Sequence, residues 1–391
     1  MNVYEKSLKL HKDLKGKLEI KSLIPITDKE SLSTAYTPGV AEPCRKIAEN
    51  PDCAYEYTRK WNTVAVVSDG SAVLGLGNIG GLAGLPVMEG KSVLFKEFAG
   101  IDSIPIVLSG QNEDDIIKTV EMIAPSFGGI NLEDICAPKC FSIEKKLKEK
   151  LDIPVFHDDQ HGTAIVVLAA LLNSLRLVNL SLQEAKIVIC GAGSAGIAIC
   201  NLLLSSGAKN IIMCDKLGVV SKDESWLNPA QKEISLKTNP ENVRGTLADA
   251  VKGANVFIGV SAPKQLSEEM VKSMAEKPIV FAMANPEPEI YPDVAKQAGA
   301  YVVGTGRSDF ANQINNVLAF PGIFRGALDV RAKEITENMK ISAAYALANL
   351  VGEDISPEYI IPAPFDKRVA QAVAKAVADC AVKEGVARLK K

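Results

Sequence analysis

The feature that most constrains the fold of this chain is an uninterrupted succession of strand, glycine loop, helix and strand. Lys186 to Cys190 is a short β-rich run. Gly191-Ala192-Gly193-Ser194-Ala195-Gly196 follows it, Ala195 to Leu204 reads as a helix, and Ile211 to Cys214 is the next strand, closed by Asp215. In such a loop the first glycine permits the tight turn and the second lets backbone approach a pyrophosphate. The third lets the helix pack on the strand, and the helix N-terminus stabilises phosphate charge. An acid about 20 residues beyond the last glycine is where a ribose-binding carboxylate belongs. Gly191, Gly193, Ser194, Ala195, Gly196 and Asp215 are therefore candidate dinucleotide contacts. Asp215 would repel a 2′-phosphate, which favours NAD. Lys216 and Lys222 lie close enough in sequence to keep NADP open. A tight turn with no ligand is the competing reading.

More strands and helices alternate on both sides of this unit. Upstream, Thr63 to Val67, Ile104 to Leu108 and Ile153 to Phe156 read as strands. Met88 to Ala99 and Glu113 to Ala124 read as helices. Downstream come the strands Val256 to Val260, Ile279 to Ala282 and Tyr301 to Val303. The last third turns helical over Gly326 to Lys340, Ile341 to Leu350 and Asp366 to Arg388. Alternation of this kind predicts α/β architecture with parallel sheets, and 391 residues suffice for two cores. The expected division is a substrate/metal domain over 1–157, rejoined by C-terminal helices over 316–391, and a Rossmann-type nucleotide domain over 158–315. The irregular stretch 15–60 needs something to pack on, which predicts a homodimer.

Two acidic pairs carry the chemistry. Asp158-Asp159 stands between the strand Ile153 to Phe156 and a long apolar helix. Glu133-Asp134 ends a similar apolar run upstream. Four carboxylates with no thiolate suit Mg²⁺ or Mn²⁺. Two readings compete: zinc on His157 and His161, and acids that merely favour a helix N-terminus. His157 ends a strand, so the two histidines would not share a helical face.

Bulk properties exclude other classes. A net charge of −3 offers no basic field for a nucleic-acid backbone. The longest apolar helix, Thr163 to Val178, is shorter than the ~20 residues a bilayer requires and is interrupted by Asn173 and Arg176, so no membrane span is expected. The N-terminus has no apolar signal core. Eight scattered cysteines, several in apolar runs, fit a reducing cytoplasm. The closing Arg388-Leu389-Lys390-Lys391 reads as a solvated basic tail.

Taken together, several segments resemble the malic enzyme family in its compact bacterial and archaeal form. They are Tyr36-Thr-Pro-Gly-Val-Ala41, Ser68 through Asn78, Val87-Met-Glu-Gly-Lys91 and Asn131-Leu-Glu-Asp134. They continue with Phe156-His-Asp-Asp-Gln-His-Gly162, Gly191 to Gly196, Ala284-Asn-Pro286 and Asn312 through Asn316. The resemblance implies oxidative decarboxylation of L-malate to pyruvate and CO₂, with NAD or NADP and a divalent cation. It further implies Glu133, Asp134 and Asp159 as metal ligands, Lys91 as general base and Tyr36 as general acid. Asp158 would assist the lysine, Asn285 and Asn316 would serve the substrate and nicotinamide end, and Asn315 neighbours them. Lys91 must then be neutral to accept a proton, and burial beside a cation lowers a lysine pKa. One position departs from the pattern. Larger relatives carry an arginine for a malate carboxylate where this chain has Ala72. Arg307 is a candidate replacement; a loop arginine that contacts backbone is the plainer reading. Malolactic conversion to lactate, a non-decarboxylating 2-hydroxyacid or amino-acid dehydrogenase, and an NAD-responsive regulatory protein remain as alternatives.

Overall fold

The computed structural model describes residues 1–389. A first sheet contains β1 (Thr63–Ser68), β2 (Asp102–Val107), β3 (Gly129–Leu132) and β4 (Val155–His157), parallel and in the order β2-β1-β3-β4. Every residue of β1, β3 and β4 is buried. That explains their unbroken apolar runs: a parallel strand covered on both faces has no solvent side to alternate with.

The second sheet contains β5 (Lys186–Cys190), β6 (Asn210–Asp215), β7 (Gly218–Val219), β8 (Val256–Gly259), β9 (Ile279–Ala282) and β10 (Val302–Thr305). Its order is β10-β9-β8-β5-β6-β7, and only β7 runs antiparallel. The chain moves outward from β5 to β6, then returns to the other side of β5 with β8. That reversal opens a crevice at the carboxyl end of β5, where the glycine loop begins.

The helix Asp158–Leu177 links the sheets and is largely buried. One apolar core runs from Val64 of β1 and Phe156 of β4, through Ile165 to Leu171 of this helix, to Ile187 of β5 and Ile258 of β8. The C-terminal helix Phe320–Asp329 closes it from the first-sheet side. Phe320 and Phe324 meet Phe95 edge-on at 4.8 and 5.3 Å, and Phe324 meets Phe156 at 5.8 Å.

Several helices differ from sequence expectation. The stretch 15–60, read as irregular, holds the helices Lys29–Ala35, Ala41–Glu49 and Ala54–Tyr57, and the helix expected over Asp366 to Arg388 spans Arg368–Lys383. The long apolar helix begins at Asp158 rather than Thr163, so both acids lie in its first turn. The helix expected from Met88 starts at Gly81 and accommodates Pro86. The expected helix Gly326 to Lys340 is broken: one helix ends at Asp329, Arg331 takes a left-handed φ of 49°, and Thr336 caps the helix Glu337–Val351. Of the basic tail, Arg388 is not simply solvated. It donates to the Asp152 carbonyl at 3.0 Å. Lys390 and Lys391 lie outside the described residues. No helix among the described residues is long and apolar enough to cross a membrane.

The N-terminal region contrasts with the rest. The helices Val3–Leu14, Lys29–Ala35 and Ala41–Glu49 bury no residue at all.

Candidate active site

Lys91 projects from the buried face of the helix Gly81–Ala99 into the acids at the ends of β3 and β4. Its ammonium lies 2.6 Å from Asp158 Oδ2 and 2.9 Å from Glu133 Oε1, and sits 4.2 Å above the centre of the Phe320 ring. The lysine and both acids are buried. Burial alone would drive the proton off Lys91, but the Asp158 and Glu133 carboxylates outweigh it and hold the lysine above its ordinary value. Burial pushes the carboxyls of Glu133, Asp158 and Asp159 upward, against the attraction of Lys91.

Glu133, Asp134 and Asp159 each offer an oxygen within 4.8 Å of the others. Asp134 takes a left-handed φ of 54°, an uncommon conformation for a residue with a side chain, of the kind that collects at functional sites. The Asp134 N–H donates to Asp159 Oδ2 at 2.8 Å, and the Asn131 amide donates to Glu133 Oε2 at 2.9 Å. An all-oxygen, partly pre-organised donor set fits a hard divalent cation. The fourth acid, Asp158, turns toward Lys91 instead. Gly162 makes that possible, because a Cβ there would lie 1.9 Å from Asp158 Oδ1 and 3.1 Å from Asn316 Cβ. Asn316 is therefore packed against the catalytic turn. Asn315 spends its side-chain oxygen on the Val317 N–H, 2.9 Å away.

The histidines support the acids. His157 Nδ1 pairs with the Gln160 amide at 3.0 Å, and its Nε2 lies 3.6 Å from Asp159 Oδ2. His161 turns away. Its Nε2 lies 2.9 Å from Glu144, and the Lys340 ammonium donates to its Nδ1 at 3.1 Å. Burial, reinforced by Lys340 and opposed by Glu144, lowers His161 to about 4. These contacts tie the helix Lys139–Lys150 and the helix Glu337–Val351 to the turn that carries the acids. Sequence reading missed Asn131, Glu144, Phe320 and Lys340. Lys340 in a largely apolar helix was the one local signal, and it cannot name a partner.

The glycine loop opens onto a cavity of about 470 Å³ lined by Gly191, Gly193, Asp215, Thr246, Val260 and Ser261, among others. Gly191 has φ 114°, and a Cβ on Gly196 would lie 1.8 Å from the Gly191 carbonyl oxygen; a Cβ on Gly193 would meet nothing within 4 Å. Two glycines are thus demanded by packing, and the third faces open space, as a phosphate-binding turn requires. Ser194 and Ala195 begin the helix Ser194–Ser205. Asp215 ends β6, and its Oδ2 accepts from the Gln231 amide at 2.5 Å. Asn285 lies against Gly75 and Gly306; a Cβ on Gly306 would come within 2.9 Å of its Nδ2.

Two candidate residues stand apart from this cluster. Tyr36 is 68% exposed, and its hydroxyl bonds to none of the described residues. The segment that carries it has no core to hold it in the cleft of a single chain. Arg307 is fully engaged by Asp309, at 2.8 Å, and by the Pro286 carbonyl, at 2.7 Å, so it staples its own loop. Ala72 contributes backbone, donating to the Asp134 carbonyl at 2.9 Å.

Known proteins share this arrangement. The family described as malic enzyme, N-terminal domain, matches residues 15–148, and malic enzyme, NAD binding domain, matches 160–382. A bifunctional malic/malolactic enzyme from Bacillus subtilis is 58% identical over 100% of this chain and 95% of its own length. An NAD-dependent malic enzyme from Geobacillus stearothermophilus is 56% identical over 99% of this chain and 81% of its own. The crystal structure of malic enzyme from Pyrococcus horikoshii superposes with a TM-score of 0.96 at 50% identity, covering 100% of this chain and 93% of that one.

Proposed function

This chain belongs to the malic enzyme family, and from that premise we propose how its cleft works. The reaction is oxidative decarboxylation of L-malate to pyruvate and CO₂, with reduction of NAD or NADP and a requirement for Mg²⁺ or Mn²⁺. The observation that carries the residue assignment is Lys91 clamped between Glu133 and Asp158, beside the three-carboxylate cluster.

Glu133, Asp134 and Asp159 hold the cation. When bound, the cation supplies Lewis-acid stabilisation of negative charge on oxygen, and the dinucleotide supplies two-electron acceptance. Lys91 takes the C2 hydroxyl proton. The Asp158 and Glu133 carboxylates hold that lysine above its ordinary value, against its burial. With Glu133 and Asp159 ligating a cation, less of that charge would remain, and burial would favour the neutral amine. Asp158 keeps the amine aimed and stabilises the ammonium that forms, which returns its proton to Tyr36 after the last step. Asn285 and Asn316 orient the substrate, while the glycine loop and Asp215 hold the dinucleotide. After CO₂ leaves, Tyr36 protonates the enolpyruvate carbon.

The division into 1–157 with 316–391, and 158–315, is part of the same reading. It puts the cleft between domains, where closure excludes water. A homodimer completes it. Val3, Leu8, Leu14, Ile20 and Leu23 all stand exposed on a segment with no buried residue, and a second copy would cover them. That docking would also bring the exposed Tyr36 to a cleft. Light scattering tests the dimer. Mixing inactive Tyr36→Phe and Lys91→Ala chains tests the docking: recovered activity supports it, and none counts against it. Eight free cysteines, four of them buried, favour a cytoplasmic setting.

A malate oxidation assay with Mn²⁺, comparing NAD with NADP and with and without chelator, tests the whole reading by pyruvate formation. The name of the Bacillus subtilis relative carries a second activity, so lactate is the other product to measure.

A further inference from the structure

We propose that Glu289 is a positioning residue that holds three strand ends of the dinucleotide cleft in register, a role that rests on the dinucleotide reading of that cleft. Glu289 has no accessible surface. Burial pushes its carboxyl above the ordinary value, opposed by the N–H groups of Ser261, Ala284 and Glu289 itself and by the Ser261 hydroxyl. Oε1 accepts the Ser261 N–H at 2.9 Å and the Ser261 hydroxyl at 3.4 Å, and Oε2 accepts the Ala284 N–H at 3.0 Å.

Those two amides lie just past the ends of adjacent parallel strands, β8 and β9. The third end joins through Ser261. Its hydroxyl lies 3.3 Å from the Cys190 thiol, which closes β5 immediately before Gly191. Gly191 itself presses on this segment, since a Cβ there would lie 2.6 Å from the Val260 carbonyl oxygen. One carboxylate therefore sets the floor of the glycine loop on one side. On the other it fixes Ala284, the residue before Asn285.

The neighbouring chain leaves room for this and nothing else. A Cβ on Gly259 would lie 2.4 Å from the Glu289 carboxyl carbon. A buried carboxylate is costly to desolvate, and an apolar side chain of similar volume fills a core as well. What an apolar side chain cannot do is accept from two loops at once. Glu289→Gln keeps the shape but turns an NH₂ toward one of the two backbone donors, which releases one loop.

The experiment is calorimetric titration of NAD into the purified Glu289→Gln chain and its parent, without malate, alongside initial-rate kinetics. The expected result is about tenfold weaker NAD binding with a matching rise in KM for NAD. KM for malate should rise less than KM for NAD, by under about threefold through the neighbouring Asn285, a split that loop positioning, but not general destabilisation, produces. Gly259→Ala crowds the carboxylate without changing its charge. It should show the same selective loss, and it serves if the glutamine chain does not fold. NAD affinity within about twofold of the parent in the folded variants, or equal weakening toward NAD and malate, overturns the proposal. A parent that binds neither NAD nor NADP overturns the reading of the cleft itself.

Discussion

The two halves of the active site are built from opposite materials. At the ends of β3 and β4, function rests on charged side chains: the single ammonium of Lys91 against Glu133 and Asp158, with Asp134 and Asp159 alongside. At the end of β5 it rests on backbone and on missing side chains, with Gly191 and Gly196 where a Cβ would collide. The first half should therefore be sensitive to deletion and the second to addition. A deleted charge leaves its partners uncompensated in a dry setting, whereas an added methyl displaces a close-packed turn.

The largest effect should follow Lys91→Ala. Malate oxidation should fall by roughly 10³-fold, the scale of a lost general base. Removing the one cation from buried acids should also destabilise the metal-free fold, by about 3–5 kcal/mol. Denaturant titration with and without Mn²⁺ checks this, since added cation should recover part of the loss. Near-parental turnover would remove Lys91 from the mechanism.

Next is Gly196→Ala, whose new methyl meets the Gly191 carbonyl. NAD affinity should drop by about 10–100-fold, equivalent to ~1–3 kcal/mol of overpacking. The Mn²⁺-induced rise in melting temperature should survive, because the carboxylate half is untouched. If both signals disappear together, the contrast between the halves is wrong.

The third prediction concerns pH. The folded value of His161, about 4, lies below its unfolded value of ~6.5. The unfolded chain therefore binds more protons between those limits, and stability falls as pH drops through that window. The amount is about 3 kcal/mol in full. Glu144, held well below its ordinary value because His161 and Lys148 outweigh its burial, adds a loss of the same sign at lower pH. Unfolding midpoints between pH 7 and 4.5 should therefore fall less steeply for His161→Gln than for the parent.

The smallest effect belongs to Arg307→Ala. Because this arginine staples its own loop to Asp309 and Pro286, KM for malate should change by less than about threefold. A much larger rise would restore Arg307 as the substrate clamp.

The glycine half was the more legible in sequence. A run of glycines between two apolar strands states its geometry locally, and β5, β6, β8, β9 and β10 all formed near where the pattern put them. The charged half was legible locally only as residue types, and its division of labour came only through the family resemblance. That Asp158 and Asp159 divide between Lys91 and the carboxylate cluster depends on Gly162, whose missing Cβ leaves the space Asp158 occupies. Gly162 also hid the start of the helix, because a glycine amid charges reads as a loop. Lys340 and Glu144 reach His161 from other helices, and no local pattern encodes such distant pairings. Tyr36 shows the converse: its motif was plain, but its surroundings were not written in the same stretch.

The helix Asp158–Leu177 has a mechanical consequence. Its 20 residues make a rod about 30 Å long, with the acids on its first turn and its body packed in the core shared by both sheets. A tilt of about 2° about the far end would carry the acids through about 1 Å, a displacement on the scale that decides productive geometry. Substitutions around Leu175, far from malate, would then act as adjustments to a lever arm.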